Sequence, residues 1–355
     1  MNKILKEDLD YLCNSFKEYE EFRDKTFLVT GATGLVGSVF TKALVSLNDK
    51  YALGIKLIVV VRDEARAKAV FEDLGQGNEI ITYLVADMNS TDLCEKIIEQ
   101  YPGNIDYIMH GASITASKQM VDNPVDTINI AYNGTQSMLR LAIDKKSKVV
   151  YLSSMEMYGS CDMERVDETE LGYIDLSNVR SSYPEGKRIC ECLCNSYASQ
   201  YDVDVCSARL AQTFGPGIPK TDNRVFVQFA SSAINKQNIV LHTQGLAEKN
   251  YCYIRDVVEA LFVLFLRGKK GEAYNVVNEE SHTTVIDMAK MVCREFADDE
   301  ITVEFDIPES MAVYGYPADV KLFLTSKKLE ALGWEPTVTL KDSYGRLIEY
   351  MKEGY

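Results

Sequence analysis

The sequence predicts an α/β fold, a doubly wound parallel sheet with a smaller, discontinuous C-terminal α/β lobe. Three observations predict it. Short, uniformly apolar runs recur from the N-terminal region to about position 277, stretches of helical character separate most of them, and a glycine-rich turn follows the first run. Strands that are apolar on both faces belong to a parallel sheet covered on both sides by helices, because a sheet with one wet face alternates apolar and polar residues.

Taken in order, Leu5, Leu9, Leu12, Phe16 and Tyr19 recur at spacings of four and three and predict an added helix over about 4–22. The apolar run Thr26-Phe-Leu-Val-Thr30 then predicts a first strand, followed by a helix through Val45 and a second strand, Lys56-Leu-Ile-Val-Val-Val61. Further strands are expected at 81–85, 106–109, 149–152, 203–208 and 273–277. Beyond Arg209 the alternation loosens around the loop Phe214-Gly-Pro-Gly-Ile-Pro219, and from about Ser281 the chain reads as helices around one short strand at 301–305. The expected organisation is an N-terminal helical extension (1–24), a nucleotide-binding domain (25–208, completed by about 250–280) and a substrate-binding lobe (209–249 and 281–355).

Composition narrows the function. With 355 residues the chain buries a large core, and 46% hydrophobic with 26% charged residues is the profile of a soluble globular protein. A net charge of −15 excludes general affinity for nucleic acid or anionic membranes, which needs clustered Lys and Arg. The apolar run Ala260-Leu-Phe-Val-Leu-Phe-Leu266 is too short to span a bilayer and predicts a buried helix. The charged start Met1-Asn-Lys-Ile-Leu-Lys-Glu-Asp lacks a signal-like apolar core, so a cytoplasmic location is expected. No metal is expected. The nine cysteines lack knuckle spacing, successive members of Cys190, Cys192 and Cys194 would point to opposite faces of a helix, and none of the three histidines sits near a partner at ligand spacing.

The segment Thr30-Gly-Ala-Thr-Gly-Leu-Val-Gly37 ends a strand and opens a helix, the context in which a glycine turn binds a dinucleotide. Gly31, Gly34 and Gly37 let the backbone approach a pyrophosphate at the helix N-terminus, and Thr33, Leu35 and Val36 complete the turn. The second strand runs into Arg62 and Asp63, with Arg66 nearby. Arginine there favours the 2′-phosphate of NADP, whereas Asp63 one residue later serves the ribose of NAD, so both cofactors stay open. Asp87 and Met88 follow the third strand, where the adenine edge would lie.

Tyr183-Pro-Glu-Gly-Lys187 places a phenol and an ammonium on one helix face. A neighbouring cation favours the phenolate, so Tyr183 is a candidate base for a substrate hydroxyl. Upstream, Ser153-Ser154-Met-Glu-Met-Tyr158-Gly159 ends a predicted strand.

These motifs, together with His110-Gly-Ala-Ser113, Gly134-Thr135, Arg209, Phe214-Gly-Pro-Gly217 and Tyr253-Ile-Arg-Asp256, resemble the extended short-chain dehydrogenase/reductase family in its nucleotide-sugar epimerases, dehydratases and decarboxylases. The resemblance covers residue 25 to about 350 and implies a Rossmann domain, a nucleotide-sugar substrate and a homodimer. It implies that a nicotinamide takes hydride from a sugar carbon, usually C4, while Tyr183 removes the hydroxyl proton. Lys187 would lower the tyrosine pKa and hold the nicotinamide ribose, Ser154 would orient the substrate hydroxyl, and Gly111, Ala112 and Ser113 would border the cofactor. Ser113, Met155, Gln212, Thr213, Arg224 and Lys249 are the implied substrate contacts.

Within the family, dehydratases carry an Asp-Glu pair where this chain has Met155 and Glu156, and methionine donates no proton. Glu156, Tyr183-x-Glu-Gly-Lys-Arg188, Asp222-Asn-Arg-Val225 and Gly333-Trp-Glu-Pro336 resemble UDP-glucuronate decarboxylases. Departures are Lys249 where those enzymes have arginine, Ala131 in the usual place of an asparagine, and Tyr316-Pro-Ala-Asp319 without the preceding arginine. Lysine does not reproduce the bidentate contacts of arginine, so nucleotide or sugar can differ. Three readings follow: an enzyme with a transient 4-keto sugar, decarboxylating or epimerising; an NADPH-dependent reductase of a nucleotide-linked keto sugar or polyol; and a non-catalytic sensor of dinucleotide ratio.

Overall fold

A computed structural model describes residues 1–161, 163–307 and 320–354. Among them, twelve strands are β1 Thr26–Thr30, β2 Lys56–Val61, β3 Ile81–Val85, β4 Tyr107–His110, β5 Lys148–Ser154, β6 Val205–Leu210, β7 Gln212–Phe214, β8 Ile239–Leu241, β9 Glu248–Tyr253, β10 Ala273–Val276, β11 Asn278–Thr284 and β12 Val303–Phe305. The α-helices are α1 Lys3–Ser15, α2 Leu35–Tyr51, α3 Glu64–Phe71, α4 Leu93–Gln100, α5 Ser117–Asp122, α6 Pro124–Lys145, α7 Ser182–Tyr201, α8 Val225–Asn235, α9 Ile254–Arg267, α10 Val285–Phe296, α11 Lys327–Glu330 and α12 Leu340–Lys352.

Seven strands form one parallel sheet in the order β10-β6-β5-β4-β1-β2-β3. The order reverses between β1 and β4, the switch point at which such sheets bind ligands beyond the strand C-termini. Successive strand residues serve opposite faces. Phe27 and Val29 join a core with Phe40, Phe262 and Phe265, while Leu28 joins another with Ile108, Met138 and Leu141. The Ala260–Leu266 run lies inside α9, which is buried nearly all round. No helix among the described residues is long and apolar enough to cross a membrane.

Several elements depart from the expected limits: α2 runs to Tyr51 rather than Val45, and β6 starts at Val205 and takes in Arg209. The N-terminal helix stops at Ser15, because Phe16 turns extended and Tyr19–Phe22 form a separate 3-10 turn. Phe16 and Phe22 still stack, at 5.3 Å between centroids, so the apolar stripe continues by packing rather than by helix. Sheets β11-β9-β7 and β12-β8 lie outside the main sheet; β7, β9 and β11 carry too many polar residues to stand out as apolar runs, and β8 is apolar but only three residues long. Tyr316–Asp319 lies outside the described residues.

Helix α1 is tied down by a buried ionic cluster. Asp8 accepts from the Tyr253 hydroxyl at 2.5 Å and pairs with Arg346 at 2.9 Å and Arg255 at 3.4 Å. A second buried network explains several matched motifs structurally: Arg209 pairs with Glu191 at 2.8 Å and donates to the Tyr158 hydroxyl at 2.8 Å, and that hydroxyl donates to Asn275 at 2.7 Å. Asp256 accepts from the amides of Thr337 and Val338, and Trp334 donates to its carbonyl, docking the Gly-Trp-Glu-Pro segment on α9.

Candidate active site

The glycine turn joins β1 to α2 and touches the end of β4. Gly31 has φ +72°, and a Cβ there would lie 2.7 Å from the Gly111 carbonyl carbon. A Cβ on Gly37 would collide with the Gly31 carbonyl. These two glycines are demanded by the fold itself. Gly34 differs: it is exposed, and a Cβ on it meets no protein atom nearer than 3.4 Å. No side chain caps α2 at Gly34, so the amides of Leu35, Val36 and Gly37 open a helix N-terminus with Thr33 half-buried beside it. Bare backbone and an uncapped N-terminus fit a dinucleotide pyrophosphate.

The Thr30 hydroxyl fixes the neighbouring loop by accepting from the amides of Gly111 and Ala112, both at 3.1 Å. It also lies 2.7 Å from His110 Nδ1, and His110 Nε2 lies 3.1 Å from the Thr135 hydroxyl. Burial pushes His110 down to about 3, with the Lys187 charge adding to it, so the ring is a neutral tie between β1, β4 and α6. Ser113 Oγ is buried without a protein partner among the described residues, an orphan that a ligand group would satisfy.

Along the adenosine side, Arg62 and Arg66 are exposed after β2, and the Asp63 carboxylate accepts from the Arg66 amide at 3.0 Å, capping α3. Asp87 is exposed and accepts from the Asn89 amide at 2.9 Å, while Met88 is buried against the backbone of Gly134.

At the end of β5 the chemistry concentrates. Ser154 closes the strand and its hydroxyl accepts from the Glu156 amide at 3.3 Å, starting the 3-10 turn Met155–Tyr158. Met155 is buried and Glu156 half-buried. Helix α7 delivers Tyr183 and Lys187 to the same place, both buried. Lys187 Nζ donates to the Leu152 carbonyl at 2.7 Å and lies 5.7 Å from the Tyr183 ring centre. Burial lowers Lys187 to about 8. Burial raises the Tyr183 phenol to about 12 and the Glu156 charge adds to this, while Ser154, Arg180 and Arg224 draw it down. The leading cationic influences on the phenol are therefore Arg180 and Arg224 rather than Lys187.

Arg180 escaped sequence reasoning. It is buried in the 3-10 turn Val179–Ser181 before α7, and its NH2 donates to Glu156 Oε2 at 2.7 Å. No sequence rule points to it, because it precedes the helix on which the Tyr–Lys spacing is counted. Arg224, before α8, is held by Asp222 through contacts of 2.7 and 3.0 Å. Gln212 and Thr213 lie on β7 and Lys249 on β9, adjacent parallel strands. The cluster thus combines a buried phenol, a lysine of lowered pKa, a serine and a carboxylate at the end of β5, one strand beyond the switch point, a set suited to moving a proton beside a dinucleotide.

Comparison with known proteins agrees with this geometry. The chain matches the model of the NAD dependent epimerase/dehydratase family over residues 27–277. It is 27% identical over 329 residues to UDP-glucuronic acid decarboxylase 1 of Danio rerio, covering 92% of this chain and 72% of that one. It is 29% identical over 316 residues to UDP-glucuronic acid decarboxylase 6 of Arabidopsis thaliana, covering 89% and 85%. Among solved structures, an epimerase of Methanothermobacter thermautotrophicus superposes with a TM-score of 0.78 at 22% identity, covering 95% of each chain. UDP-glucuronic acid 4-epimerase of Bacillus cereus, in complex with UDP-glucuronic acid and NAD, gives 0.76 at 20% identity, covering 93% of this chain and 100% of that one. A glycine turn at the switch point, a Ser–Tyr–Lys cluster beside it and a family match over most of the length lead to one conclusion: the chain belongs to the NAD dependent epimerase/dehydratase family.

Proposed function

We propose that this enzyme oxidises a nucleotide sugar at C4 to a transient keto sugar and that its substrate is a uronic acid, decarboxylated in the manner of the UDP-glucuronic acid decarboxylases it resembles. The observation that carries the reading is Glu156, placed by the Ser154 turn beside Tyr183, with buried Met155 in front of it where a dehydratase needs an acid.

Tyr183 takes the proton of the sugar hydroxyl, and Ser154 orients that hydroxyl. Lys187 and the N-terminus of α2 hold the ribose and pyrophosphate ends of the dinucleotide, and Ser113 borders it. When bound, NAD supplies hydride acceptance and return. A ketone at C4 stands β to the C6 carboxylate, so carbon dioxide leaves as the electron pair moves into an enolate. Glu156 serves the proton traffic that follows. Arg224 and Lys249 hold the nucleotide and sugar phosphates.

The test is mass spectrometry of products from UDP-, dTDP-, GDP- and CDP-linked sugars, including UDP-glucuronate, with NAD or NADPH supplied separately. Carbon dioxide loss from UDP-glucuronate supports the reading. Tyr183→Phe should abolish turnover with coenzyme binding retained, and Glu156→Gln should slow the step after oxidation more than hydride transfer; equal slowing of both sinks the Glu156 role.

A second reading has its own observation. Asp63 is engaged in capping α3 while Arg62 and Arg66 stand exposed at the end of β2, which favours a 2′-phosphate and hence an NADPH-dependent reductase. Stoichiometric NADPH oxidation with a gain of two hydrogens on a keto substrate would select it. The exposed apolar residues Val125 and Ile128 on α6 and Ile189 on α7 support assembly as a homodimer, which sedimentation would test.

A further inference from the structure

Arg180 is 7% exposed, an expensive place for a guanidinium. The local fold does not ask for it. Its turn is closed by Asn178, whose side chain accepts from the Arg180 amide at 2.9 Å and whose carbonyl accepts from the Ser181 amide at 2.9 Å, so any residue would form the same turn. What the guanidinium meets is the active site. Its NH2 holds Glu156 Oε2 at 2.7 Å, and its carbon lies 5.7 Å from the centre of the Tyr183 ring. Its Nε is buried without a partner among the described residues, so the side chain is fixed by what lies at its far end.

We propose that Arg180 is a positioning residue of the reaction, which pins the Glu156 carboxylate and offsets its charge so that Tyr183 can give up a proton with an acid beside it. The inference rests on Tyr183 as the proton acceptor. A carboxylate next to a base is a contradiction in an interior of low dielectric, because it opposes the anion the base must become. Arg180 removes the contradiction. The groups facing the phenol are Ser154 and Tyr151 from β5, Glu156 from the turn after it, Arg180 from the turn before α7, Lys187 from α7 and Arg224 from the segment before α8. Arg224 already shares its charge with Asp222, so Arg180 is the cation matched to Glu156. The directions agree: Glu156 pushes the Tyr183 pKa up and Arg180 draws it down.

The test places 3,5-difluorotyrosine at position 183 of the full chain, since ring fluorines acidify the phenol into a range where the protein stays folded, and follows its ionisation by fluorine NMR. Arg180→Gln should move the midpoint up by about one pH unit or more, from the loss of a unit charge at this separation. Glu156→Gln should move it down, Arg180→Gln/Glu156→Gln should return it close to the unsubstituted value, and Arg180→Lys should hold it there. An unmoved midpoint in Arg180→Gln, or a double variant displaced as far as the single one, overturns the proposal, since a merely structural arginine would not be rescued by removing its partner. If Arg180→Gln does not fold, an unmoved midpoint in Glu156→Gln overturns it instead. The titration needs no turnover, so failure of every nucleotide sugar to react would sink the proposed function and leave this result standing. With a reacting substrate, the acid limb of kcat/KM follows the same order across the variants.

Discussion

The Lys187 ammonium stands 5.7 Å from the centre of the Tyr183 ring and donates at 2.7 Å to the Leu152 carbonyl, so lysine meets tyrosine through space across a buried gap. Burial holds its pKa at about 8, below the ordinary 10.5. Between those values the unfolded chain binds the extra proton, so this group makes the fold gain stability as pH rises through that window, and its full cost is present below it. Relative to the wild type, Lys187→Met should therefore be favoured most at pH 7 and lose about 3 kcal/mol of that relative advantage by pH 10.5. Urea midpoints of the two proteins at both pH values check this; a difference independent of pH would refute it.

The three glycines of the turn separate folding from binding. Gly37→Ala drives a methyl into the Gly31 carbonyl and should cost about 2 kcal/mol or more of stability. Gly34→Ala meets ordinary contact distance and should keep the wild-type melting temperature while losing NAD affinity. Thermal melts beside NAD titration measure both, and equal melting losses would contradict the assignment.

His110 predicts a sensitivity to acid. Burial takes its pKa down to about 3 from the ordinary 6.5, so its contribution is present above that upper value and lost as pH falls towards the lower one. Between pH 6.5 and 4.5 the wild type should lose about 2–3 kcal/mol through this ring alone, and His110→Gln should lack that part of the slope. Denaturant titrations across the interval check it; parallel slopes would count against a neutral buried ring.

Asp8 should matter far beyond its helix. Asp8→Ala takes the shared acid from Arg255, Arg346 and Tyr253, leaving Arg255 with Asp256 at 3.8 Å and Arg346 with Glu7 at 3.4 Å, and loss of one member of a buried ionic cluster should cost roughly 3 kcal/mol. Chemical denaturation would show it, and a change below the scatter of the method would mean that Asp256 and Glu7 suffice for the arginines.

The main sheet was legible because strands such as β1 and β2 are buried on both faces and read as apolar runs at their observed limits, while the edge strand β3, with Thr82 and Val85 exposed, keeps enough apolar residues to read the same way. The Ser154, Glu156, Tyr183 and Lys187 cluster was legible because strand ends and helical spacing place residues without knowledge of packing. Arg180 and the α1 anchor were not. Arg180 reaches Glu156 across 24 positions, and Asp8 meets Tyr253 across 245, contacts that arise only once the sheet is folded. The strands β7 and β9 were hidden because Gln212, Glu248, Lys249 and Asn250 dilute the apolar signal while the partner strands supply the order.

Strand β9 carries one further consequence. Gln212 pairs with Tyr251, two residues from Lys249, so Gln212 and Lys249 project from the same side of adjoining strands, and the far end of β9 is bolted through Tyr253 to Asp8. Their spacing is set by ladder geometry and not by a loop. A ligand that spans both would meet a fixed gauge, so a change in its length would have to be absorbed away from these two strands.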